Sequence, residues 1–343
     1  MLFSFGSNGG GQLSLGHTED THIPHRCKIP PSFPSVPPKQ IVAGGNHTLL
    51  LFPCGTLFVT GSNIYGQCGL RVSEGTTFTS FQLIPPPAET KWKLVSAGWD
   101  FSVLVAEDGG VYVCGMGSKG ELGLGEGVTQ TELRQVWQWS PESKVMDIAS
   151  GMSHTIAILE DGSVYGWGAA RKGQLGPGDE KVVNMPKKTK VDFKAAKAVC
   201  GREFSFVISG DGERHEVFGG DRFGIKSEMP GQGALKGWKS VGSCWGSVVV
   251  LMKDGSIKAW GRNDKGQLLP EGLKDVRSLA IGSEHGVAVA GDKLVAWGWG
   301  EHGNCGNEGG GDVKGEVHEV QVDGEGELVM VGAGCATSWV WKA

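Results

Sequence analysis

The chain lacks the features that announce most function classes. Its longest apolar runs, such as Val248 to Met252, fall far short of the roughly 20 residues a membrane helix needs. The opening stretch MLFSFGSNGGG has neither a basic region nor an extended apolar one, so no export signal and no membrane partner are expected. Cations are not in excess: 32 Lys and Arg stand against 37 Asp and Glu, a net charge of -5. Direct contact with nucleic acid would want the opposite balance. The eight cysteines (27, 54, 68, 114, 200, 244, 305, 335) stand singly with no CxxC pair. That spacing suits neither a disulfide scaffold nor a zinc site, and buried, reduced thiols are expected. There is no P-loop lysine motif, no nucleophile serine between glycines and no Ser/His/Asp set in a recognisable context. The chain is therefore expected to be non-catalytic, with no catalytic residue, cofactor or resident metal.

What it has in excess is glycine, 58 of 343 residues, about 17 % against an ordinary figure of about 7 %. The glycines fall into a repeat. One anchor is a glycine followed five residues later by another, usually then Gln and an apolar residue: GSNGGGQL at Gly6, GSNIYGQCG at Gly61, GMGSKGELG at Gly115, GAARKGQLG at Gly168, GGDRFGI at Gly219, GRNDKGQLL at Gly261 and GWGEHGNCG at Gly298. The other is a glycine with a bulky or polar residue three positions on: GGNH at Gly44, GWDF at Gly98, GMSH at Gly151, GREF at Gly201, GSCW at Gly242, GSEH at Gly282 and GCAT at Gly334. In the six units where both are complete, the anchors lie 16 to 19 residues apart. Between them an apolar run such as TLLLF, SVLVA or SVVVLM meets a turn, then a second strand such as VYVCG or IKAWG. Four of those turns are Asp-Gly, at 108–109, 161–162, 211–212 and 254–255, pairs that supply the positive φ of a tight hairpin. Strands apolar on both faces belong to sheets stacked between other sheets, and radial stacking satisfies every unit at once.

These observations predict an all-β chain, a seven-bladed β-propeller spanning residues 1–343. The last unit finishes Ser338 to Trp341 without its partner strand, and Leu2-Phe-Ser-Phe-Gly6 is the missing piece, so the N-terminal strand is expected to close the last blade. Segments 18–38, proline-rich, and 308–327, glycine-rich and acidic, read as surface insertions.

Several motifs are absorbed by the repeat. GMGSKG at Gly115 and GWGEHG at Gly298 match a dinucleotide fingerprint, but they fall on the repeat's own turn with no helix expected behind them. His302-x-x-Cys305 could be half a metal site, yet the rest of a ligand set is missing nearby. The second anchors place His47, Phe101, His154, Phe204, Trp245, His285 and Thr337 at equivalent positions, where a histidine commonly caps backbone groups. Trp167, Trp260 and Trp297 precede turn glycines and read as core. Function should then lie where the copies depart from one another: Trp99, Asp100, Trp245, Glu284, His285, Trp299, Glu301 and His302. Aromatic groups among acidic and histidine side chains are the makeup of an interface hot spot.

The "wGxNxxGQLG" turn and "GxxH" anchor resemble the regulator-of-chromosome-condensation repeat family over nearly the whole chain. That resemblance implies a seven-bladed propeller closed by its first strand. Narrower likeness, in AGGNHT (43–48), AGWD (97–100), GSEHG (282–286), WGWGEHGNCG (297–306) and GCATSW (334–339), is to a fungal branch of the family, the killer-toxin-insensitivity or α-tubulin-suppressor proteins. It implies a regulatory subunit paired with a small zinc-ribbon electron-carrier protein, in the cytoplasm and also the nucleus. The pair would serve diphthamide synthesis on elongation factor two and, through Elongator, wobble-uridine modification of transfer RNA. The alternative client is a small GTPase, with the chain as its guanine-nucleotide exchange factor.

Overall fold

Each turn glycine occupies a place no side chain fits. Gly61 has φ +114°, and its missing Cβ would strike the Asn46 carbonyl; Gly6, Gly115, Gly168, Gly219, Gly261 and Gly298 repeat the arrangement with φ between +101° and +128°. The turn behind each glycine is held by side chains. Asn63 Oδ1 accepts the Cys68 N–H at 3.1 Å and Gln67 Oε1 the Tyr65 N–H at 2.9 Å. Asn8 with Gln12 and Asn263 with Gln267 do the same. This is why these three turns read N-x-x-G-Q.

The computed structural model describes residues 1–343 except 88, 140–142 and 270–272, and leaves out the Glu74 side chain. The described residues form seven antiparallel sheets. Blade I is Gln40–Ala43, His47–Leu51, Leu57–Ser62 and Thr77–Ile84; blade II is Trp92–Ala97, Phe101–Ala106, Gly110–Met116 and Gln130–Gln138; blade III is Val145–Ser150, His154–Leu159, Val164–Ala169 and Val182–Thr189. Blade IV (Ala195–Cys200, Phe204–Ser209, His215–Gly219) and blade V (Trp238–Ser243, Ser247–Met252, Ile257–Gly261) have three strands. Blade VI is Val276–Ile281, His285–Ala290, Lys293–Gly298 and Val313–Val320. Blade VII joins Leu328–Ala333 and Thr337–Lys342 to Leu2–Gly6 and Thr21–Arg26, with Leu2 opposite Trp341 and Gly6 opposite Thr337. The first strands touch one another from blade to blade all the way round. The seven-bladed propeller with its N-terminal closure is thus the observed fold.

Both segments read as surface insertions contain outer strands, Thr21–Arg26 and Val313–Val320. An outer strand has one wet face, so its sequence carries charge and its apolar pattern fades. Among the described residues no helix is long and apolar enough to cross a membrane.

One device seals every blade interface. The carbonyl at the end of each turn, or one residue before it in blade VII, accepts a hydrogen bond from the next blade or from the indole of that blade. Between I and II, Ser102 Oγ donates to the Gln67 carbonyl at 2.7 Å, and His47 Nε2 lies 2.8 Å from the same oxygen of Ser102. His154–Ser205–Gln174 and His285–Ser338–Asn304 repeat this between III and IV and between VI and VII. Because the serine proton goes to the carbonyl, Nε2 must donate, which assigns the tautomer. At the other interfaces an indole or a threonine takes over: Trp167 to Glu121, Trp260 to Ile225, Trp297 to Gln267, and Thr60 to Gly11. Where the preceding blade carries Phe or Ser in place of His, the next supplies Trp. The histidines therefore bolt neighbouring blades together, and the turn-capping role expected for them is not what they do.

The same rings explain the second anchor. An added side chain at Gly44, Gly98, Gly201 or Gly282 would collide with the ring three residues on.

Candidate partner-binding face

The turns between first and second strands open on the same edge of each blade as those after third strands, since His47 pairs with Gly61 and its counterparts do likewise. The Asp-Gly hairpins leave from the opposite edge. The sequence-chosen residues other than the buried His285 consequently lie on one side of the propeller, the inner turns near the axis and the outer turns towards the rim.

Blade V corrects the expected register. Ser247, not Trp245, pairs with Gly261 as His47 does with Gly61. The anchor position is Cys244, whose N–H bonds the Ser247 carbonyl at 2.9 Å as Gly44 bonds His47. Ser247 is small, so nothing there requires a glycine, and Gly242 was the wrong landmark. Trp245 thereby becomes the counterpart of Trp99, one residue into the inner turn.

The backbones at that position form a belt around the axis. Gly45 N–H bonds Trp99 O at 2.9 Å, Trp99 bonds Met152 O at 3.3 Å, Arg202 bonds Trp245 O at 3.0 Å and Trp245 bonds Ser283 O at 2.8 Å. The indoles of Trp99 and Trp245, from blades II and V, meet across the axis with centroids 5.8 Å apart and planes at 46°. Both are partly buried, and they line one end of a central cavity of about 270 Å³ walled by the first strands. Asp100, beside Trp99, is partly desolvated, which raises its carboxyl above the usual range.

Glu284 carries the patch outward. It is 7 % exposed, with Arg262 and Gln267 each 2.5 Å from one of its oxygens, and its carbonyl accepts the Trp299 N–H at 2.9 Å. Burial raises its carboxyl despite those partners. Trp299 packs edge-on against His302 at 5.3 Å, and His302 Nδ1 lies 2.7 Å from Asp20 Oδ2 of blade VII's long turn. Glu301 is exposed, 3.7 Å from Lys265. Trp99, Asp100, Trp245, Glu284, Trp299, Glu301 and His302 thus share one side of the ring, with Glu284 joining the inner and outer turns. His285 does not belong with them: it is fully buried, it bolts blades VI and VII, and burial holds its imidazole down at about 4. It has no surface to offer a partner.

The His302–Cys305 pair makes no joint site. Cys305 is fully buried and its thiol is pushed up to about 12, while His302 points to Asp20. Among the described residues no cluster of His, Cys, Asp or Glu could hold a metal. Neither Gly-x-Gly stretch opens a helix.

Sequence reasoning missed the cations of this side. Arg202 stands 5.8 Å from the Trp245 ring centre, and Arg262 lies between Glu284 and Asp264. Basic residues recur in the turns, as at Lys119, Arg171 and Lys265, so neither arginine stands out against the repeat.

Residues 1–340 match the profile described as the RCC1-like domain. Among curated proteins, an RCC1 repeat-containing protein of Schizosaccharomyces pombe is 34 % identical over 99 % of this chain and 98 % of its own. The secretion-regulating guanine nucleotide exchange factor of Mus musculus is 30 % identical over 90 % of this chain and 76 % of its own. Among solved structures, Prp20p of Saccharomyces cerevisiae superposes with a TM-score of 0.83 at 20 % identity, over 99 % of this chain and 90 % of that one.

Proposed function

The chain belongs to the RCC1-like domain family, and from that premise we propose that it is a non-catalytic regulatory propeller that binds a small zinc-ribbon electron-carrier protein. The observation that carries protein binding is the run of contacts from the Trp99–Trp245 pair, through Ser283 and the buried Glu284, to Trp299 and His302, with Glu301 exposed beside them. It sets two partly buried indoles at the centre and charged groups at the rim, which is how affinity and register divide in protein interfaces. The choice of client is supported by the likeness of the blade VI turn, WGWGEHGNCG, to the fungal branch of the family. In this reading the pair serves diphthamide synthesis and Elongator-dependent tRNA modification in the cytoplasm, with the nucleus as a second compartment.

A second reading is favoured by the relatives' names: the mouse relative is called a guanine nucleotide exchange factor, and the yeast Prp20p structure is described with binding to Gsp1p and histones. The experiment that separates them mixes the purified chain with the purified zinc-ribbon protein and, separately, with small GTPases carrying fluorescent nucleotide. The first reading expects a one-to-one complex and unchanged nucleotide release. Accelerated release without complex formation would replace it with the second.

A further inference from the structure

Blade V departs from every other blade at the second position of its inner turn. There the others carry Asn46, Asp100, Ser153, Glu203, Glu284 and Ala336, and blade V carries Gly246. A Cβ at Gly246 would lie 2.9 Å from Arg262 Cβ and 3.1 Å from the Phe223 ring. The glycine leaves room for those two side chains.

Phe223 is itself unusual. In its turn, GGDRFGI, Phe223 sits at φ +62°, ψ +26° with 41 % of its surface exposed. A left-handed conformation is disfavoured for any non-glycine residue, and such strain clusters at functional positions. Two guanidiniums flank the ring, Arg222 at 4.7 Å and Arg262 at 5.2 Å.

Between Phe223 and Trp245 opens a pocket of about 470 Å³, next to the central indole pair. Four cations line it against three carboxylates, in a chain whose overall charge is -5. Arg262 is engaged by Glu284 and Asp264 within 2.6 Å, whereas Arg222 reaches Glu203 only at 3.9 Å. Arg202 and Lys172, both exposed, form no ion pair among the described residues. One positive charge is therefore left over at a site with two aromatic walls. A single carboxylate cancels it, while a doubly charged phosphate would overshoot and meet the three carboxylates already there.

We propose that this pocket seats an acidic segment of the partner protein, one Asp or Glu carboxylate on Arg202 and Lys172 with the adjoining apolar side chain between Phe223 and Trp245. The inference rests on the protein-binding reading and names the chemistry the partner must present. A guanidinium fork binds carboxylate in two parallel hydrogen bonds, and a desolvated aromatic floor strengthens them.

The test uses the whole chain and fluorescence anisotropy of labelled peptides: one with Asp-Phe-Glu in a Gly/Ser background, its Lys-Phe-Lys counterpart, and inorganic phosphate as competitor. The acidic peptide should bind saturably and the basic one should not. Arg202→Glu should weaken binding at least tenfold, Arg202→Gln less, and Gly246→Ala, which crowds Phe223 and Arg262, should weaken it with the charges intact. Melting curves keep folding separate from binding. Equal binding of both peptides, or displacement by phosphate at the peptide's own concentration, overturns the proposal. In parallel the zinc-ribbon protein is titrated into the native chain and into Arg202→Glu. Equal affinity for both overturns the pocket and leaves the protein-binding reading standing. Acidic-peptide binding without zinc-ribbon binding upholds the pocket and removes that client.

Discussion

Acid should unlock the ring through its three bolting histidines. His47, His154 and His285 are fully buried, each with Nε2 donating to a serine and Nδ1 without a hydrogen-bond partner. A proton on Nδ1 would be a buried, unpaired charge, and burial accordingly depresses each imidazole from 6.5 to about 4. The folded value is the lower one, so the unfolded chain takes up these protons first. Stability is full above about pH 6.5 and falls as pH drops towards about 4. Each histidine contributes a slope of about 1.4 kcal/mol per pH unit in that window, three together about 4, and by pH 5 the loss is roughly 6 kcal/mol. That is comparable with the whole stability of an ordinary domain, about 5–15 kcal/mol. The assay is urea unfolding followed by tryptophan fluorescence at several pH values between about 7.5 and 5. His154→Phe is the informative variant, because blades II and IV carry Phe101 and Phe204 at the same position. It should cost about 1–3 kcal/mol at neutral pH and reduce the acid slope by about one third. A native protein whose stability is flat from pH 7 to 5, or a variant with an unchanged slope, would refute the argument.

The other blade seals can be tested separately. Trp167→Phe keeps the ring but leaves the Glu121 carbonyl unpaired, so urea unfolding should show a loss of about 1–2 kcal/mol. Deleting residues 1–6 removes the buried Leu2, Phe3 and Phe5 and the closing strand; at about 1.5–3 kcal/mol per side chain, gel filtration should show an expanded or aggregated chain. Glu284→Ala takes one of two carboxylate partners from Arg262 and one of two from the Gln267 amide N–H, leaving both on Asp264 alone, and the unfolding midpoint should fall by an amount worth about 1–3 kcal/mol. In a double-mutant cycle, Trp99→Ala and Trp245→Ala should couple by about 1 kcal/mol if the rings touch in solution as they do in the structure.

The architecture was legible in the sequence because the turns demand it. A residue at φ near +110° pressed against a carbonyl must be glycine, so all seven turn glycines survive whatever else the blades change. The inner anchor was legible only while a ring lay over it, and it slipped by two residues in blade V, where Ser247 replaces the ring. The histidines were seen but given a local role, since their serine partners lie 51 to 55 residues away and no spacing within a unit reveals them. The outer strands Thr21–Arg26 and Val313–Val320 hid in polar sequence because each has only one covered face. At the candidate site the aromatic and acidic departures were visible. The clue to the cationic pocket, Gly246 where six blades have side chains, becomes readable only once blade V is in its correct register.

If the tryptophan-centred side of the ring binds a protein, its two central indoles carry the affinity. Isothermal titration of the purified zinc-ribbon protein into the native chain and into the folded double variant Trp99→Ala, Trp245→Ala tests it most directly. One-to-one binding by the native chain is expected, with a loss of about a hundredfold or more in the variant, as for a central aromatic hot spot worth a few kcal/mol. A variant that keeps its melting temperature and binds with undiminished affinity would contradict it.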